Sequence, residues 1–341
     1  MKAYMQYLVI LLDDTSVAYC HADNPLTERR LMPLDTLRKA IRFGMKQNLM
    51  IQYVYPDYDL PEEYNTLIET IDHVKIGRDI PIYNAVPAHA ESKTIVLRLS
   101  VADFIAHQYD IAALLPQVKR LNICLTDIAS FRDEQVGDYQ HALATLTQVI
   151  ENLYKAQAEK SISVQAGSSD ANRLSHGGVG EVAGQLSILT DRLALTEMHN
   201  CGAGVSNITV APNGRFYLCP AFYYDECQGL SNRMNHRTQD ASRSVGDLDS
   251  GLCIPNPQLL QLDHAPLCRK CDAYHCHRCI WLNDRLTMDM NTPSHQQCVI
   301  AHLERNASRD LQQRLIADGF RFEHDIPAIT YLDPFDVREE W

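Results

Sequence analysis

Apolar positions in the first 190 residues fall into short continuous runs separated by amphipathic stretches. Tyr7 to Leu12 (YLVILL) is a bare apolar run of strand length. The stretch PLDTLRKAIRFGMKQ then places Leu37, Ile41, Gly44 and Met45 on one face at helical spacing, with Pro33 near its start. LMIQYVY (Leu49 to Tyr55) predicts a second strand and EEYNTLIETI a second helix; HVKI, IPIYN, TIVLRLS, LNICLTD and SISVQA continue the strand series. Helices are expected over Val101 to Lys119 and Asp133 to Ala156, the latter from Leu143, Leu146, Val149, Ile150 and Leu153. Strands alternating with crossover helices predict an α/β fold with a parallel sheet covered on both faces. Five or six such units suit a partial or irregular (β/α) barrel, whose reactive groups sit on loops at the C-terminal strand ends. A doubly wound open sheet is the rival, but neither GxGxxG after the first strand nor GxxxxGK(S/T) occurs.

The alternation stops at the Ser- and Gly-rich stretch Ala166 to Glu181, read as a flexible connection. From Cys201 the chain changes character. SNITVAP and RFYLC are strand-like and meet at Pro212-Asn213-Gly214, a strong hairpin signal. Ser231 to Ser244 is polar and reads as a mobile surface loop. The expected organisation is a barrel-like part over 1–190, a small cysteine-rich metal-binding domain over 191–310, and a C-terminal extension over 311–341.

Of 341 residues, 31 are Lys or Arg and 43 Asp or Glu, a net charge of -12 that argues against a broad nucleic-acid face. No apolar run reaches the roughly 18 residues of a membrane span. The start reads as a first strand instead of a signal peptide, so a cytoplasmic location is expected. The 11 cysteines change the picture most, because nine fall between Cys201 and Cys298 while only Cys20 and Cys124 precede them. In a large chain of that compartment, such clustering points to metal before disulfides.

Cys201 is followed by twelve residues, Gly214, four residues and Cys219, which puts two thiols on or beside the arms of one hairpin. CRKCDAYHCHRC then supplies Cys268, Cys271, Cys276 and Cys279, with Cys298 beyond. CxxC spacing aims two thiolates at one metal centre. An all-cysteine zinc site uses the same pairs, with His275 and His277 as substitute ligands, so zinc is the alternative to iron and sulfide. Cys227 and Cys253 lie in less regular segments and are weaker ligand candidates. In the loop after the first strand, Asp13, Asp14, Cys20 and His21 occupy the place of a barrel's reactive groups and are the catalytic candidates. A Cys-His pair makes an activated nucleophile only where the two side chains meet; otherwise the aspartates end the strand and cap the turn. Tyr55, Asp57 and Tyr58, with Tyr53, offer a peptide-binding wall, against which stands an ordinary aromatic core.

The hairpin-plus-CxxC pattern resembles the SPASM domain, the auxiliary-cluster domain of radical SAM peptide maturases, whose pattern runs CX(9–15)GX4C, CX2CX5CX3C, then C. The first half matches in full; the second reads CX2CX4CX2C. The resemblance implies one [4Fe–4S] cluster on Cys268, Cys271, Cys276 and Cys298, and another on Cys201, Cys219 and Cys279. The extra cysteine that completes the latter in fully ligated relatives is missing from GAGVSN. That leaves an open iron, Cys227 or Cys253 as fourth ligand, or no cluster.

The barrel part lacks the radical SAM CX3CX2C, since Asp13 to Asn24 contains one cysteine, and Tyr55-Pro56-Asp57-Tyr58 stands where Gly-Gly-Glu would lie. S-adenosylmethionine is therefore not expected. This combination resembles the CXXX repeat peptide maturase family, on LDDTSVAYCH, QYVYPDY, NCGAGVSNITVAPNGRFYLCPAFYYD and the CxxC pairs. The implied fold is a partial barrel of radical SAM type with a SPASM-like end. The implied role is post-translational modification of a cysteine-rich precursor peptide, alone or with another maturation protein, so whether the chain is itself an enzyme stays open. The alternatives are a non-catalytic module that binds a peptide or partner around structural metals, and a metal or redox sensor.

Overall fold

The structure, a computed structural model, describes residues 5–165, 184–198, 201–229 and 242–334, with backbone alone for 160–165. In chain order the elements are β1 (Tyr7–Leu11), α1 (Leu34–Lys46), β2 (Met50–Val54), α2 (Glu62–Ile68), β3 (His73–Ile76), β4 (Ile82–Tyr83) and β5 (Thr94–Leu99). Then come α3 (Val101–Ala106), α4 (Gln108–Leu114), β6 (Arg120–Leu125), α5 (Val136–Gln165), β7 (Gln185–Leu186) and α6 (Thr190–Ala194). The rest are β8 (Asn207–Val210), β9 (Phe216–Tyr217), α7 (Pro220–Cys227), β10 (Gly246–Asp247), β11 (Gly251–Leu252), α8 (Ile280–Thr287) and α9 (His295–Ala317). The chain is thus mixed α/β with largely parallel sheets, as the alternating pattern predicts. Among the described residues no helix is long and apolar enough to cross a membrane.

Two compact units share the chain, each drawn from three segments: 1–82, 200–270 and 278–294 in the first, 83–199, 271–277 and 295–341 in the second. These boundaries differ from the expected divisions at 190 and 310. The first unit's sheet has the order β3-β2-β1-β8-β9. Within it β1 pairs in parallel with both β2 and β8, from Tyr7 opposite Met50 and Asn207 onward, and β8 turns back antiparallel into β9. The hairpin expected at Pro212-Asn213-Gly214 forms, but as the continuation of the β1 sheet. The second sheet runs β4-β5-β6-β7, separate from the first among the described residues.

Burial explains the central position of β1. Leu8, Ile10 and Leu11 lose all solvent contact and join Ile51, Tyr53, Ile208, Val210 and Phe216 in one core. A strand covered on both faces needs such an unbroken apolar run. Helix α1 packs through Leu37, Ala40, Ile41 and Gly44; Met45 is instead 61% exposed, so that expectation is corrected. Gly44 is the point of closest approach, since a Cβ there would stand 2.9 Å from Ile51. SISVQA is also corrected: its first five residues extend α5, and the strand that closes this sheet is β7. The connection at Ala166 to Glu181 lies outside the described residues, as do residues 231–241 of the polar loop.

Candidate metal centre

Hairpin β8–β9 determines where the first two thiols lie. Gly214 turns with φ +77, Asn213 Oδ1 accepts from the Arg215 amide at 3.0 Å, and Asn213 Nδ2 donates to Tyr217 Oη at 2.8 Å. The register pairs Val210 with Phe216 and Thr209 with Tyr217. Continued toward the open end, it brings Cys219 level with Asn207. Cys201 enters the same end through a tight reversal in which Gly202 O accepts from the amides of Val205, Ser206 and Asn207 at 2.8–3.0 Å. Gly202 adopts φ +72, and a Cβ there would stand 2.0 Å from Ser206 Oγ, so only glycine fits.

Two thiols cap helices. Cys219 is the N-cap of α7 and Cys279 the N-cap of α8. Neither closes a strict capping hydrogen bond, but the Ala221 and Phe222 amides lean toward the Cys219 sulfur and the Leu282 amide toward that of Cys279. Helix N-termini and free amides favour a thiolate there. The two helices are joined where Trp281 Nε1 donates to Asp225 Oδ2 at 2.8 Å. Beside Cys279, Arg278 takes a left-handed backbone (φ +45). Its buried guanidinium donates to Asn291 Oδ1 at 2.9 Å and to Leu260 O, and its charge acts favourably on the Cys201 thiolate.

Cys20 reaches the same group. The Ala18 amide donates to Tyr224 Oη at 3.2 Å, and Tyr224 Oη donates to Ser16 O at 2.8 Å, which pins the loop after β1 against α7. Burial pushes the Cys219 thiol well above its ordinary value, and the neighbouring Cys20 and Cys201 add to the rise. Cys279 rises well above for the same first reason, with Cys201, Cys219 and then Cys20 contributing. Cys201 keeps exposed surface as a residue, yet the protein crowded round its sulfur raises it too. Four thiols of the first unit therefore lie within electrostatic reach of one another. Among the described residues no three His, Cys, Asp or Glu side chains are arranged to hold a metal ion as they stand. All eleven cysteines are free of disulfides.

The aspartates of the loop after β1 have partners of their own. Asp13 is fully buried and accepts from the Thr15 amide at 2.8 Å and from Tyr58 Oη at 2.8 Å, so it holds the turn after β1 and ties it to the β2 side. Asp14 accepts from Arg30 Nε at 2.6 Å and from Tyr223 Oη. Cys20 donates to Ala22 O at 3.7 Å and acts on the Cys219 and Cys279 thiols. Tyr55 is buried with the Arg78 guanidinium 5.8 Å from its ring, whereas Asp57 is exposed and pairs with Arg29 at 3.5 Å. Arg29 also lies 4.5 Å over the Tyr58 ring.

Cys227 closes α7 at the end opposite Cys219, about 12 Å along the axis at 1.5 Å per residue. Its neighbours are Tyr223, Asp14 and Arg30. Cys253 is exposed and donates its amide to Val245 O at 2.7 Å. Cys268 belongs to the first unit, and Cys271, Cys276 and Cys298 to the second. Within the second unit, Cys271 Sγ stands 3.5 Å from His302 Nε2 and accepts from the Ala273 amide at 3.4 Å. His275, in the same unit, contacts Glu304 Oε2 at 3.1 Å, an acid that also accepts from Tyr139 Oη at 2.7 Å.

Sequence reasoning placed Cys20 with the aspartates and missed Arg278, Tyr223 and Tyr224. One signal for Cys20 was present: the SPASM resemblance implies a hairpin set one thiol short, and the front of the chain holds a cysteine in a loop. Compared with family models the chain matches none, and no curated protein matches it.

Proposed function

We propose that this chain takes part in maturing a cysteine-rich ribosomal peptide and holds an iron–sulfur cluster on the thiols of its first unit. The observation that carries the cluster is the convergence of Cys201, Cys219 and Cys279 from one hairpin end and two helix N-termini. The donor set suits such a group: soft sulfurs, amides leaning toward two of them, and a buried guanidinium beside a third. Burial raises all three thiols, so they bind as thiolates only where a metal's charge replaces the lost solvation. When bound, the cluster supplies Lewis-acidic iron and an electron reservoir. The protein's part is to fix the sulfurs, exclude water and set the charge around them.

The substrate class comes from the resemblance to CXXX repeat peptide maturases, as does the reading of β1 to β3 as the remnant of a radical SAM-like scaffold. The loop from Asp13 to Asn24 offers one thiolate where adenosylmethionine chemistry needs three. Free thiols throughout suit a reducing compartment.

Anaerobically purified protein tests the reading by its iron, acid-labile sulfide and zinc per chain, and by its visible absorption. Iron and sulfide in cluster proportion are expected, with retention of a peptide that carries cysteine at every fourth residue. Stoichiometric zinc without iron removes the cluster, and absence of both peptide retention and any peptide mass change removes the maturation role.

A further inference from the structure

We infer that Cys20, in the loop after β1, is the fourth ligand of the centre formed with Cys201, Cys219 and Cys279. This rests on the proposal of a cluster and goes beyond it, because it closes the iron that the hairpin pattern leaves open and moves Cys20 from nucleophile to ligand.

Burial around the four cysteines carries the inference. Ala18 and Ala22, two residues either side of Cys20, are buried in the same core as Ala203 beside Cys201, Ala221 beside Cys219 and Ile280 beside Cys279. Cys20 and Cys219 both pack against that core as half-buried side chains. The four cysteines therefore flank one core, and Cys219 and Cys279 each lie within electrostatic reach of the other three thiols. The loop is held there by Tyr224 Oη, which bonds both the Ala18 amide and Ser16 O, and Tyr224 belongs to the helix that Cys219 caps. The two other candidates for fourth ligand do not share this place. Cys227 is at the far end of α7 beside Asp14 and Arg30, and Cys253 is exposed next to Val245.

Thiolates round one zinc stand about 3.8 Å apart, from a Zn–S distance of about 2.3 Å in a tetrahedron. No described group is arranged to hold an ion in that way. Thiolates on separate irons of one cluster stand farther apart, so a cluster asks less closure of the four sulfurs than a single ion does. Ligation by Cys20 also means that no iron of this centre is open at rest, so a peptide thiolate reaches it only by displacing Cys20.

The test needs no variant to begin with. Anaerobic full-length protein is alkylated with iodoacetamide before and after its iron is removed, and each cysteine is read by peptide mass. Cys20 is expected to be protected together with Cys201, Cys219 and Cys279, at least tenfold slower than Cys253, and to label once iron is gone. Cys20→Ala is then compared with Cys227→Ser and Cys253→Ser for iron content and for the electron paramagnetic resonance of the reduced cluster. Cys20→Ala is expected to alter that signal or lose the iron of this centre, and β-mercaptoethanol to restore the signal, while the other two match the parent. An iron-loaded parent whose Cys20 labels as fast as Cys253, or a Cys20→Ala protein with the parental signal and iron, overturns the assignment and leaves the cluster in place. An iron-free parent removes the cluster itself and this assignment with it.

Discussion

Removal of one hydroxyl tests whether the loop that carries Cys20 is held from α7. Tyr223 donates to Asp14, whose side chain is 7% exposed, and Asp14 retains Arg30 as its other partner at 2.6 Å. A hydrogen bond to a charged group contributes about 1.5–3 kcal/mol. Arg30 is largely exposed and remains to stabilise the carboxylate, which places Tyr223→Phe near the middle, at about 2 kcal/mol. Tyr224→Phe removes two neutral bonds, one of them long at 3.2 Å, and is expected to cost about 1 kcal/mol. Trp281, bonded to Asp225 of α7, reports the first unit by fluorescence when Trp341 is replaced by Phe. With a urea slope of about 1–3 kcal/mol per molar, the Tyr223→Phe midpoint falls by roughly 0.7–2 M. Alkylation of Cys20 in metal-free protein should accelerate in parallel. A Tyr223→Phe midpoint within the error of the parent, or a smaller loss than Tyr224→Phe gives, refutes the anchoring of this loop through Asp14.

Two further outcomes follow from buried groups elsewhere. Tyr53 is wholly buried in β2 and its hydroxyl has no hydrogen-bond partner, so Tyr53→Phe should stabilise the first unit by about 1 kcal/mol, against the usual sign for core changes; a lower urea midpoint contradicts this. In the second unit, Lys155 first and then Arg314 hold the Glu151 carboxyl below its ordinary value. A depressed folded value makes that stability complete above the unfolded value of about 4.3 and lost as pH falls through the folded one. Both bases are about two-fifths exposed, so after solvent screening Glu151→Gln should cost only about 0.5–1 kcal/mol at pH 7 and less at pH 3, by urea midpoints read at both.

What could be read from the chain was local. β1, β5 and β6 stand out because a strand buried on both faces is a nearly continuous apolar run, and a run is visible without its neighbours. SISVQA misleads because alternating Ser, Ile and Val imitate a strand period, whereas α5 continues through it. The strand that does close that sheet, Gln185–Leu186, is two residues long and too short to show any period. Met45 lies at the margin of the apolar face of α1, where helical spacing cannot separate buried from exposed; glycine at 44 takes the tight contact instead. The thiols of the hairpin and CxxC segments were legible as a set because their spacing is itself the signal. Cys20 was not, since its neighbours along the chain are Asp14 and His21 while its neighbours in space arrive some 180–260 residues later. Position in the chain suggested a nucleophile, and the fold supplies three more thiols.

Pairing of β1 with β8 has a consequence for how the protein is made. β1 ends at Leu11 and its second neighbour begins at Asn207. At about 5–20 residues per second, synthesis leaves that strand with one bare edge for roughly 10–40 s. An unpaired row of amides and carbonyls on an apolar strand recruits whatever strand it meets. The β8–β9 hairpin, with Cys201 before it and Cys219 after it, is thus the element that ends this vulnerable interval.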